Sequence, residues 1–169
     1  MLTLKYFSLF VVFLLAVVLN KQVKSLEVDR YRQEALAQHN IYRAQCKADA
    51  LQKNSTLDQI AQSWCEQLAA TNQFNHSGTI DYGESSYKKA PFDFKNDNGA
   101  TPVAAWFSTR SKYSDANPAD ALDFTQVVWK NTKLFGLGVC SIPNNGVLFV
   151  ANYYPRGNYK DQFAQNVNC

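Results

Sequence analysis

The sequence predicts an α+β domain: helical spacing of apolar residues runs through its first two thirds, and short alternating runs joined by a turn signal follow. Val28, Tyr31, Ala35, His39 and Tyr42 recur at helical spacing, which predicts a first helix over 28–43 with that stripe turned inward. A second helix is predicted over 57–72. Its stripe is Leu57, Ile60, Ala61, Trp64 and Leu68, and Thr56 with Gln59 makes a capping box at its start. Thr101-Pro102 opens a third helix, with Thr as cap and Pro at the first helical position, and this helix carries Val103, Trp106 and Phe107. A fourth, short helix covers 124–130. Residues 137–142 and 147–153 read as strands, and Asn144-Asn145-Gly146 between them is a hairpin signal because Asn and Gly tolerate positive φ. A further short strand is predicted around 82–86. The irregular stretch 87–99 holds Tyr87, Pro91, Phe92 and Phe94 among polar residues, and long ordered loops are often functional.

Residues 1–25 read as a signal peptide. Lys5 supplies a positive start, Tyr6 to Leu19 is an apolar run of about 14 residues where a bilayer span needs about 20, and Val23-Lys24-Ser25 has a small-residue cleavage pattern. The expectation is a secreted, extracellular chain in which 26–169 forms a single domain, with no transmembrane span after cleavage. Lys5, Lys21 and Lys24 leave with the signal peptide. Of 17 basic side chains, 14 then face 14 acidic ones, so nothing marks a phosphate-tracking surface and nucleic acid is excluded as a partner.

Cys46, Cys65, Cys140 and Cys169 make an even set, which in a secreted chain predicts two disulfides. Three pairings are open. The favoured one is Cys46–Cys65, tying the loop after the first helix to the second helix, with Cys140–Cys169 closing the C-terminus. Asn54-Ser55-Thr56 and Asn75-His76-Ser77 are glycosylation sequons, at Asn54 and Asn75. His39 on the inward stripe reads as structural, as do Asn40 and Arg43. Trp64, Trp106 and Trp129 read as core.

His39-Asn40-Ile41-Tyr42-Arg43, Phe74-Asn75-His76-Ser77, Gly83-Glu84-Ser85, Ala105-Trp106-Phe107-Ser108, Phe124-Thr125-Gln126 and Asn152-Tyr153-Tyr154-Pro155-Arg156-Gly157-Asn158 occur in this order. Together they resemble the signature segments of the CAP superfamily (cysteine-rich secretory proteins, antigen 5, pathogenesis-related 1). The compact organisation, without a cysteine-rich tail, resembles the Golgi-associated plant-pathogenesis-related type, from which the signal peptide departs. The resemblance implies a three-layer α-β-α sandwich. It also implies a cavity of two histidines and two glutamates able to hold a divalent metal. His76 matches the first histidine and Glu84 the first glutamate. Thr109 stands where the second glutamate belongs, and Asp123 where the second histidine belongs.

Two readings of the altered cavity follow. In one, Asp123 accepts a hydrogen bond from protonated His76 and no metal or other cofactor is needed. In the other, His76, Asp123 and Glu84 hold a divalent metal weakly, as a harder site than zinc prefers. A serine triad drawing on Ser77, Ser85 or Ser86 lacks the Gly-x-Ser-x-Gly elbow. The leading function is a non-catalytic extracellular binding module. The resemblance implies sterol or fatty acid as ligand, with Tyr87, Pro91, Phe92 and Phe94 as the matching loop, or else an extracellular protein partner, in a monomer or weak homodimer. The alternative is a metal-dependent hydrolase or protease acting at His76, Glu84 and Asp123.

Overall fold

The computed structural model describes residues 13, 17, 27–114 and 117–169, in two units divided after Arg30. In the first unit the described residues are helical, and Arg30 pairs with Glu27 at 3.6 Å. Apart from residues 13 and 17, the predicted signal peptide lies outside the described residues. Among those described, no helix is long and apolar enough to cross a membrane.

The second unit opens with helix α1, which runs to residue 45. Then come β1 (Gln52–Lys53), α2 (Ser55–Thr71), β2 (Gly83–Lys89), α3 (Ala100–Ser108), α4 (Leu122–Val128), β3 (Leu134–Ile142), β4 (Gly146–Tyr154) and the single turn α5 (Phe163–Asn166). The strands form one sheet in the order β1-β3-β4-β2. β1 runs parallel to β3, and the other pairs are antiparallel.

Alternation along the strands assigns each face of this sheet to a layer. On one face, Leu148 and Val150 pack on Ala61, Cys65 and Leu68 of α2. Gly136 and Gly138 of β3 share that face, and α2 approaches so closely that a Cβ on either would stand 2.3 Å from its backbone. On the other face, Phe135 and Tyr153 meet His39 of α1, and Phe149 meets Tyr31 edge-on at 5.9 Å. β4 is therefore buried along nearly its whole length, as a central strand between two helical layers must be. Beyond the short β1, side chains complete the free edge of β3. Leu137 N donates to Asp58 Oδ1, Val139 N donates to Gln62 Oε1, and Arg32 Nε donates to Leu137 O.

Several boundaries differ from expectation. Asn54, not Thr56, caps α2: its Oδ1 accepts from Leu57 N at 2.9 Å, leaving Thr56 inside the first turn. α3 starts at Ala100, where Asn98 Oδ1 takes the Ala100 amide, so Pro102 falls later in the first turn than the first position. α4 starts two residues early and ends at Val128. β2 extends through Tyr87, Lys88 and Lys89, so the loop begins at residue 90. At the hairpin, Asn144 and Asn145 take positive φ, 60° and 54°, and Gly146 starts β4.

The disulfides correct the favoured pairing. They join Cys46 to Cys169 and Cys65 to Cys140. Cys46 follows α1 on one side of the sheet and Cys65 sits on α2 across it, so the strands stand between them. Cys65 instead faces Cys140, which alternation places on the α2 face of β3. Replacing Cys65 and Cys140 together by alanine opens a loop of 75 residues and is expected to lower the unfolding free energy by about 2–5 kcal/mol. Urea denaturation of the double variant checks this, and a loss under about 1 kcal/mol would contradict the assignment of this bond as a stabilising tie.

Candidate functional site

Glu84 and Ser85 are neighbours on β2, so their side chains leave the sheet on opposite faces. That alternation divides the candidate residues into two groups. In the first, His76 Nδ1–H donates to Glu84 Oε1 at 2.8 Å, and the Ser77 amide reaches both Glu84 oxygens at 3.3 and 3.4 Å. The Glu84 side chain is 7% exposed and that of His76 is 67% exposed, so a nearly buried carboxylate orients an imidazole that solvent can reach.

In the second group Ser85, Tyr153 and His39 are buried and Asp123 is half-buried. Ser85 Oγ–H donates to Asp123 Oδ1 at 2.8 Å. Asp123 lies in the first turn of α4, where free N–H groups favour a carboxylate. Burial pushes its carboxyl above the usual range, against the Ser85 hydrogen bond and the His76 charge. Beside it, the Tyr153 hydroxyl meets His39 Nε2 at 2.9 Å, while His39 Nδ1 meets Ala35 O at 2.8 Å. A carbonyl only accepts, so the proton is on Nδ1 and Tyr153 donates to Nε2. Burial lowers the His39 pKa to about 3, and this imidazole is neutral at neutral pH. Burial, then the Asp123 charge, push the Tyr153 hydroxyl well up.

The expected hydrogen bond between His76 and Asp123 is absent. Each has its own partner, and only a Coulombic influence of His76 on Asp123 links the groups. Thr109 is likewise used within the chain. Its Oγ1 donates to Trp106 O at 2.8 Å and accepts from Phe124 N at 3.3 Å, occupying an N–H of the first turn of α4. Among the described residues no three His, Cys, Asp or Glu side chains gather to hold a metal ion, and His76 and Asp123 are held by separate partners. The serine triad is not formed either. Each histidine nitrogen with a hydrogen bond is satisfied by Ala35, Tyr153 or Glu84, and Ser85 gives its proton to a carboxylate.

The aromatic loop splits. Phe92 is 1% exposed and packs on Tyr31, Phe149 and Phe94, anchoring the loop to the body; its amide donates to Asn145 O at 2.9 Å. Phe94 is 50% exposed. Tyr87 is half-buried in β2 against Phe149, and Pro91 lies at the start of the loop. Lys89 Nζ to Asp97 at 2.7 Å and Gly99 N to Glu34 Oε2 at 2.8 Å fasten the loop's two ends. Of the sequons, Asn54 caps α2 through its Oδ1, and Asn75 is exposed with its Nδ2 donating to His76 O at 3.2 Å. Strand alternation was the signal in the sequence that could have separated Glu84 from Ser85. Nothing local announced the partnership of Ser85 with Asp123.

A model of the cysteine-rich secretory protein family (CAP) matches residues 36–153. The chain is 30% identical over 143 residues to the Golgi-associated plant pathogenesis-related protein 1 of Homo sapiens, covering 82% of this chain and 92% of that protein. It is also 30% identical over 152 residues to the secreted protein RBT4 of Candida albicans, covering 82% of this chain and 40% of that one. Among solved structures, that of BmVAL-1 superimposes with a TM-score of 0.64 at 22% identity, over 77% of this chain and 79% of the other.

Proposed function

The chain belongs to the CAP, or cysteine-rich secretory protein, family, and within it we propose a non-catalytic extracellular binding module for an apolar ligand, a sterol or a fatty acid. The observation that carries this reading is the use made of Asp123 and Thr109. Both are spent on hydrogen bonds inside the chain, which leaves His76 and Glu84 without the partners that metal-assisted hydrolysis requires. Two disulfides, the signal-peptide pattern and a relative named as a secreted protein support an extracellular setting.

The apolar feature offered to a ligand is Phe94, half exposed and seated on the buried Phe92 with ring centroids 5.0 Å apart. A rigid aromatic held from below presents apolar area at little entropic cost. Phe94→Ala is expected to weaken sterol or fatty-acid binding about tenfold, the effect of losing roughly half a buried phenyl group. The fold should be unaffected. Phe92→Ala should instead lower stability by about 3–5 kcal/mol. Titration of cholesterol and palmitate onto both variants decides the matter. Affinity unchanged in Phe94→Ala would remove this loop from the function.

A further inference from the structure

Helix α2 turns a second stripe away from the core. Gln59, Ser63 and Gln67 stand one turn apart, with Ile60 and Trp64 beside them. Across from this stripe, Ser77 and Tyr82 of the segment leading to β2 close an open groove of about 390 Å³. No charged side chain lines it. Two polar atoms of the lining residues, Trp64 Nε1 and Ser77 Oγ, are buried and find no hydrogen-bond partner among the described residues. The lining is thus two aromatic rings, one isoleucine, neutral amides and hydroxyls, with a buried N–H and a buried O–H left over.

That chemistry suits a neutral pyranose. The axial C–H face of a sugar ring meets the electron-rich face of an indole or phenol, and its hydroxyls and acetamido group match amide and hydroxyl partners in both donor and acceptor roles. Ions gain nothing from such a wall. Ser77 is also the third residue of the sequon Asn75-His76-Ser77, and Asn75 is exposed. Two residues span at most about 7 Å, so a sugar on Asn75 starts at the rim of the groove. Asn75 Nδ2, the atom that would carry the sugar, donates to His76 O at 3.2 Å, and a glycosylated amide keeps one N–H for that bond.

We infer that Asn75 carries an N-linked glycan whose first N-acetylglucosamine residues seat in the groove between α2 and the 73–82 segment. The inference rests on the extracellular reading above. The seated sugars also stand beside His76 and restrict access to the His76–Glu84 pair.

The full chain, secreted from a eukaryotic host, provides the test. Peptide mass spectrometry should find Asn75 occupied. Failure to appear in the medium would overturn the secretory reading, whereas secretion with Asn75 bare overturns this inference alone. Thermal melting then compares the chain with Asn75→Gln, each with and without Trp64→Ala, all carrying Thr56→Ala to remove the other sequon while keeping the Asn54 cap. The Asn75 glycan is expected to raise Tm by about 2–4 °C when Trp64 is present and by less than about 1 °C when it is absent. Because Trp64→Ala also touches the core, Gln67→Ala with Tyr82→Ala serves as a second groove variant with the same expected loss. An equal glycan increment in every background would overturn the seating.

Discussion

Arg43→Ala is expected to cost more than about 4 kcal/mol and to leave the domain largely unfolded near its physiological temperature, since whole domains hold only about 5–15 kcal/mol. The guanidinium is fully buried at the end of α1. Its Nε donates to Asp49 O at 2.7 Å, one terminal nitrogen donates to Val127 O and Trp129 O at 3.0 and 2.9 Å, and the other donates to Thr132 O at 2.9 Å. Val127 and Trp129 are at the end of α4, where carbonyls lack helical partners and the dipole is negative. One side chain thereby ties α1 to the 45–51 turn and to the whole α4–β3 connection. Burial lowers its pKa to about 10, which still leaves the group charged at neutral pH. Alanine strands the Asp49, Val127 and Thr132 carbonyls, each costing about 1–3 kcal/mol if it stays dry, while Trp129 O keeps the Thr132 amide at 3.1 Å. Lysine keeps the charge but not the fork, and should recover less than half of the loss. Urea denaturation followed by near-ultraviolet circular dichroism measures both. An alanine variant within about 1 kcal/mol of the parent would show that water reaches these carbonyls.

His39 makes the domain acid-sensitive with a defined sign. Its folded pKa is about 3 against 6.5 for the free side chain. Between those values the unfolded chain binds a proton that the folded chain does not, so stability rises with pH. The contribution is fully present above about pH 6.5 and is lost as pH falls toward 3, at up to 1.4 kcal/mol per pH unit, or about 5 kcal/mol in all. Asp123 acts in the opposite sense. Its raised carboxyl pKa favours the folded state as pH falls through it. The difference between parent and His39→Gln isolates the imidazole. Glutamine cannot take up the proton, so the variant should start less stable at pH 7 and lose less on acidification. Parallel stability curves from pH 7 to pH 3.5 would mean that His39 is accessible to water in the folded state.

Much of the fold was readable because helical periodicity is carried by residues a turn apart. The stripe through Tyr31, Ala35 and His39, the α2 stripe and the Asn-Asn turn all depend on neighbours within a few positions. β1 escaped because two residues hold no period, and β2 was cut short because Lys88 and Lys89 look like loop on a strand at the sheet's edge. Phe92 read as loop because its core partners, Tyr31 and Phe149, lie far away in the chain.

The site was readable as a set of residues but not as an arrangement. His76, Glu84, Thr109 and Asp123 stood out as types. Their partners did not, since Ser85 to Asp123 spans 38 positions and His39 to Tyr153 spans 114. What the amino-acid order determined by itself was the α+β class and the presence of α1 to α4 and of β2, β3 and β4, because these are written in local spacing and residue type. What only the tertiary structure decided was which cysteine meets which, and which carboxylate meets which hydroxyl. Those depend on the face of the sheet each distant side chain leaves from, and a one-residue step along a strand is enough to change it.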